Sequence, residues 1–349
     1  FLPWIIILFW LTGLYFFTKT ILQLFNIDLE PWKTVLISEL IILFNLALTP
    51  NWIQVFYWSS GRVPYLTPTI WIGWLFFLIF HPSQKAKWAH GLSLLAVFLI
   101  AFYIGGFSET VNFALITISI IVLLLCFLAP KLKYTRALAI TATVAALLSL
   151  AFLYFSPVVQ MRAASLYGET SNLWVALLRS VRGGLRFFFS FVKHRPFFLL
   201  AAFVIINLLG SILFKDLVFS IQRKTYLKGL IISTIALLLI IIATMLPSYY
   251  AESSHPGDRA LNVPTFFFVI YLCFISFSTQ IFIKDHSKAR QTFLWLNIFL
   301  GFALAILWMI TKTAFHRPPD FLTFLSILGQ KPWIIIIVLT IGLAIFLLR

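Results

Sequence analysis

The chain has 349 residues, of which 62% are hydrophobic, 18% aromatic and only 10% charged. An ordinary soluble domain is nearer half apolar and a quarter charged, so this composition excludes a soluble enzyme, a disordered chain and a collagen-like chain, and makes the bilayer the solvent. The net charge of +16 would suggest nucleic acid in a soluble protein, but in a polytopic membrane chain basic residues hold the cytoplasmic loops in place.

A helix needs about 20 apolar residues to cross the hydrocarbon core. In chain order the sequence predicts such helices at 3–24, 64–81, 88–106, 110–129, 135–156, 195–214, 227–247, 263–284, 291–311 and 332–348. These runs do not alternate apolar with polar residues, which disfavours a transmembrane β-barrel. Residues 34–58 are apolar but contain Glu39, Pro50 and Asn51, and residues 173–193 carry Arg179, Arg182 and Arg186. Both stretches are predicted to be amphipathic or re-entrant helices at the interface. The expected fold class is all-α: a polytopic membrane protein of about ten transmembrane helices plus these interfacial ones, in a single transmembrane domain over 1–349. Cys126 and Cys273 lie inside apolar runs, where cysteine behaves as a small buried hydrophobe.

Orientation follows from the loops. With the N-terminus in the cytoplasm, loops 82–87, 130–134, 215–226 and 285–290 and the C-terminal end share one side. With their flanks they hold thirteen basic residues against Asp216 and Asp285, the asymmetry expected of cytoplasmic loops. The expectation is an integral protein of a bacterial cytoplasmic (inner) membrane with both termini in the cytoplasm. The outward loops, 25–63, 157–194, 249–262 and 312–331, are longer and hold most of the carboxylates. Loops on a rigid scaffold are where function usually sits.

Four constellations stand out there. In the short turn Gly105-Gly106-Phe107-Ser108-Glu109-Thr110, Glu109 either serves chemistry or caps the next helix near its positive end. Asp28 and Glu30 follow the first span, and an acid before Pro31 also reads as a helix start. The segment 52–65 is dense in aromatic residues, including Tyr57 and Trp58, and contains Gly61-Arg62 after them. It reads as an interfacial belt or as a platform on which a sugar face stacks. Finally, Arg162, Arg259 and Arg317 each follow a helix-ending stretch on the outer side, Arg317 directly after His316. Arginine there runs against the charge rule, and its fork matches phosphate or carboxylate oxygens bidentately.

No Walker loop, strand-associated GxGxxG, HExxH or paired CxxC occurs in the sequence. His255 and His316 lack a histidine four residues on, so a helical His-pair metal site has no support. No metal is indicated.

The order of motifs resembles a family of bacterial polytopic membrane proteins similar to GT-C glycosyltransferases. The resemblance rests on Phe56-Tyr57-Trp58 with Gly61 and Tyr65-Leu66-Thr67-Pro68, and on Gly105-Gly106-Phe107-Ser108-Glu109. It also rests on Ser156-Pro157 with Gln160-Met161-Arg162, and on Leu246-Pro247-Ser248-Tyr249-Tyr250 with Arg259-Ala260. It implies a GT-C-like fold and a transferase that moves a sugar from a polyprenyl-phosphate donor to an acceptor at the outer face, in building the cell envelope. It implies Asp28 first, with Glu30 and Glu109 next, as the catalytic carboxylate, and Arg162, Arg259, Arg317, His316, Arg62, Tyr57 and Trp58 as substrate contacts. No cofactor is required. The expected partners are the lipid-linked donor, membrane lipids and other membrane-complex subunits, with no nucleic acid. The alternative is a non-catalytic lipid-glycan transporter or flippase, or a scaffold subunit.

Overall fold

The computed structural model describes residues 2–81, 87–128, 132–157, 161, 172–194, 196–214, 223–251, 254–283 and 297. Every element among them is helical, and no strand occurs among the described residues. The helices are α1 (Leu2–Leu24), α2 (Pro31–Leu48), α3 (Trp52–Phe56) and α4 (Ser59–Phe80), the last with a π turn at Arg62–Leu66. They continue with α5 (Lys87–Gly105), α6 (Glu109–Leu128), α7 (Lys133–Phe155), α8 (Leu173–His194), α9 (Pro196–Leu213), α10 (Arg223–Ala251) and α11 (Asn262–Ile283). Long apolar runs take this form because a helix satisfies its backbone hydrogen bonds within one segment.

Among the described residues, seven helices are long and apolar enough to span a membrane: α1, α2, α4, α6, α7, α10 and α11. The apolar parts of α5 and α9 are shorter, at Ala89–Gly105 and Phe198–Leu213. The expected spans at 291–311 and 332–348 lie outside the described residues.

The expectation for 34–58 needs correcting. The stretch is not one interfacial helix. Its first part is α2, 72% of whose spanning window is buried, the largest share among the seven. Pro50 lies beyond the end of this helix, and the Asn51 side chain starts α3 by accepting the Gln54 N–H at 3.2 Å. The residues that looked like interruptions therefore mark the boundary between two helices.

The turn before α2 has a local cause. Asn26 is in the left-handed region at φ 56. The Asn26 N–H donates to Gln23 O at 3.0 Å and the Ile27 N–H to Leu22 O at 2.9 Å. This paired closure ends a helix and turns the chain, with Ile27 buried against the bundle. Pro31 then sits at the start of α2, where its missing N–H costs nothing.

Ring contacts give the helix directions. Phe9 meets Trp71 at 5.0 Å and Trp74 at 5.4 Å, and Phe16 meets Phe77 at 5.1 Å, so α1 and α4 run the same way. Gly13 and Gly73 let their backbones approach: a Cβ on Gly73 would lie 3.0 Å from the Gly13 carbonyl carbon. Small residues at such crossings are a common device of membrane helices. Helix α2 runs back beside α1 and packs on α11 and α9, and α5 returns beside α4 with Trp71 and Tyr103 5.8 Å apart.

The bundle therefore has two ends. One gathers the end of α2, the starts of α4, α6 and α11, and the ends of α5, α7 and α10. The start of α1 lies at this same end. The other end holds the 25–30 turn, the end of α4 and the starts of α7 and α10, where Arg136, Lys224 and Lys228 lie. Helix α8 is strongly amphipathic, as expected, and packs along α10. A Cβ on Gly183 would strike the Tyr249 ring, while one on Gly184 would meet Ile241 and Ile242 at 3.5 Å.

Candidate functional site

A buried polar node organises the first end. Asn45 of α2 donates its side-chain amide to Asn262 Oδ1 at 3.0 Å, and Thr49 Oγ1 lies 2.9 Å from the same oxygen. The Asn262 amide donates to the Tyr65 carbonyl at 3.1 Å. All three side chains are 0% exposed, and buried polar groups persist when paired in this way. The Tyr65 carbonyl lies in the π turn within α4, so its bond from Asn262 ties the node to that helix.

Outside this node the chain folds back through α3. Gly61 makes this return close, because a Cβ there would overlap the Gln54 carbonyl. The result presents Tyr57 and Trp58, 42% and 54% exposed, and half-buried Arg62. Arg259, from the turn before α11, donates from Nη1 to Ser60 Oγ at 2.9 Å. That contact joins the aromatic segment to the 254–261 loop across 199 residues of sequence.

Glu109 belongs to the same end. Ser108 rather than Glu109 caps α6: its hydroxyl accepts the Val111 N–H at 3.3 Å and donates to the Pro64 carbonyl at 3.4 Å. Glu109 takes the first helical position, half-buried, where the positive end of the helix favours its charge.

A third group adjoins these. Tyr249 and His255 are 3.0 Å apart, hydroxyl to Nδ1. Burial holds the His255 imidazole below its ordinary range, the Arg186 guanidinium adds to this, and Asp258 opposes it.

The remaining carboxylates lie elsewhere. Glu30 forms an ion pair with Lys33 at 2.9 Å and accepts a hydrogen bond from the Trp32 indole. Those contacts, the Lys33 hydrogen bond first, hold its carboxyl below the usual range. It precedes Pro31 at the start of α2, so its contacts are those of a helix start. Asp28 is exposed in the same turn. The 18 residues of α2 separate this turn from Arg259, a rise of about 27 Å. The structure thus brings Tyr57, Trp58, Arg62, Glu109 and Arg259 to one end and puts Asp28 and Glu30 at the other. Arg162, His316 and Arg317 lie outside the described residues.

Sequence reasoning missed Asn45, Thr49 and Asn262, and gave Ser60 and Tyr249 no role beyond their place in a motif. The available signal was an asparagine inside the apolar run Ile41-Ile42-Leu43-Phe44-Asn45-Leu46-Ala47-Leu48, since a polar group at such depth needs a partner. Among the described residues no group of three His, Cys, Asp or Glu is placed to hold a metal. Compared with known proteins, the chain matches no family model, no curated protein and no solved structure.

Proposed function

We propose that this membrane protein binds a polyprenyl-phosphate-linked sugar at the Arg259 end and transfers the sugar to an acceptor hydroxyl there. The observation that carries the reading is Arg259 held on Ser60 beside exposed Tyr57 and Trp58, with Arg62 on the next turn and Glu109 at the same end. Guanidinium groups suit a phosphate, and aromatic faces suit the apolar face of a sugar.

In the proposed reaction Glu109 takes the proton of the acceptor hydroxyl. The acceptor oxygen bonds to the anomeric carbon as the bond to the phosphate oxygen breaks. The electron pair leaves on the polyprenyl phosphate, where Arg259 and Arg62 offset the developing charge. Glu109 takes this role over Asp28 and Glu30 because it shares an end with the arginines. The GT-C resemblance and a bacterial inner-membrane location belong to the same proposal. With the Lys-rich end facing the cytoplasm, the start of α1 lies outside in this proposal, in place of the cytoplasmic N-terminus expected from the sequence, because α2 adds a crossing.

The distance of Asp28 and Glu30 from the arginines favours a second reading, in which the chain holds or moves a lipid-linked glycan, or serves as a complex subunit, without transfer. Turnover with a panel of polyprenyl-phosphate sugars in nanodiscs separates the two. Under the first reading, free polyprenyl phosphate is released, Glu109→Gln abolishes release, and Asp28→Asn leaves it unchanged. Arg259→Ala lowers the rate on the order of a hundredfold, the usual cost of removing one stabilising donor. No release across the panel by folded protein leaves the second reading.

A further inference from the structure

Helix α8 carries three distinct faces. Ala176, Ser180, Gly183 and Phe187 are buried and form the packed face. Arg179, Arg182 and Arg186 are exposed along a second face, spaced three and four residues apart, so that neighbouring guanidiniums share one side of the helix. Trp174, Leu178, Leu185 and Phe189 form a third, 64%, 55%, 54% and 70% exposed. At 3.6 residues per turn, the arginine and exposed apolar faces lie roughly 80° apart. That is the division of a helix lying in a membrane interface, with its apolar side toward acyl chains and its cations at headgroup level.

Tertiary packing fixes where these cations sit. Gly183 seats α8 directly on Tyr249, and Phe188 packs on Phe268 of α11 at 5.6 Å. All three arginines are close enough to act electrostatically on the Tyr249 hydroxyl, and Arg186 also acts on His255. Among the described residues, Asp258 is the acid acting on His255. The helix thus carries a row of positive charge over the loop that follows α10.

We propose that the Arg182–Arg186 face of α8 is a binding site for the phosphate headgroup of an anionic bilayer phospholipid. Charge complementarity selects the occupant. A zwitterionic headgroup brings its own ammonium and gains little from a row of guanidiniums, whereas a phosphodiester without an amine keeps a net negative charge. The guanidinium fork matches two phosphate oxygens at once. The exposed Trp174, Leu178, Leu185 and Phe189 lie where the acyl chains of the same lipid would run. This site is separate from the sugar-donor site proposed above and does not depend on it.

Native mass spectrometry of the whole chain, released from nanodiscs of equal phosphatidylglycerol and phosphatidylcholine, tests the proposal. Wild type should retain phosphatidylglycerol preferentially. The double variant Arg182→Gln/Arg186→Gln should lose that preference by roughly thirtyfold, from about fivefold for each cationic contact. A control removing equal charge from the other end, Lys19→Gln/Lys228→Gln, should keep it. Thermal unfolding establishes that each variant is folded, and Arg182→Lys/Arg186→Lys provides a second pair should the glutamine pair fail to fold. That lysine pair keeps the charge, loses the fork and should show an intermediate preference. Equal retention of the two lipids by wild type, or an unchanged preference in the glutamine pair, overturns the proposal. So does a lysine control that loses as much as the arginine pair. No sugar donor enters this measurement, so failure here leaves the transfer reading standing, and failure of sugar release leaves this site standing.

Discussion

Asn45 and Asn262 are joined side chain to side chain at 3.0 Å across 217 residues of sequence, with both fully buried. The contact fixes α2 against the start of α11, and through the Tyr65 carbonyl it also fixes α4. Asn262→Ala removes the acceptor of the Asn45 amide and the donor that Asn262 gives the Tyr65 carbonyl. The expected loss is about 2 kcal/mol, the cost of orphaned buried polar groups. Thermal unfolding in detergent measures it. Asn45→Ala combined with Asn262→Ala should cost less than the two singles together, because both remove one shared contact. Strict additivity would show that the node does not act as a unit.

Asp28 and Arg259 lie at opposite ends of α2, so they should be reached from opposite sides of the membrane. Asp28→Cys and Arg259→Cys, each alone, should react with an impermeant maleimide in vesicles of one orientation but not from the same side. The native thiols contribute little background, since Cys126 and Cys273 are both buried. Labelling of both positions from one side would mean that α2 does not cross.

Gly61 permits the return of the chain that presents Tyr57, Trp58 and Ser60. Gly61→Ala drives a Cβ into the backbone carbonyl of Gln54, which a side-chain shift cannot relieve. Overpacking of this kind costs about 1–3 kcal/mol, and proteolysis within 51–66 should quicken. Gly106→Ala is the matched control, since its nearest neighbour would be 3.5 Å away. It should change stability by less than about 0.5 kcal/mol.

The depressed His255 imidazole implies a specific pH dependence. Its folded form holds a proton less readily than the unfolded chain, whose ordinary value is 6.5. Above that value both states are neutral and His255 has no effect. As pH falls through 6.5 the unfolded state gains the proton first, and stability drops until the folded value is reached. The melting temperature of wild type should therefore fall in this window, and His255→Gln should flatten it. Glu30 works in a lower window. Its carboxyl is held below 4.5, so the stability it contributes is present above 4.5 and lost as pH falls beneath it. An identical slope near pH 6 in His255→Gln would overturn the assignment to His255.

Much of this architecture was legible in the residues. Runs such as Ile116 to Leu128 can only be helices in a bilayer, because a lone segment must satisfy its own backbone. The arginines at 179, 182 and 186 announced an amphipathic α8 for the same kind of reason, a fixed angle per residue. Helix α2 was misjudged because Glu39, Pro50 and Asn51 were weighed as interruptions of one segment. Glu39 is half-buried within the helix and the other two lie past its end. That one error moved Asp28 and Glu30 to the wrong end of the bundle, since every added crossing reverses the side of all that precedes it.

Composition and periodicity alone therefore established a helical membrane chain with a basic end, because the bilayer penalises charge and unpaired backbone wherever they occur. Which residues meet was decided by tertiary packing. Arg259 reaches Ser60, Asn45 reaches Asn262 and α8 settles on Tyr249 because the left-handed turn at Asn26 sends α2 back through the bundle and glycines at 61 and 183 let backbone and ring approach. Contacts between residues some two hundred positions apart depend on how helices are ordered in space, and a one-dimensional pattern of apolar residues carries no information about that order.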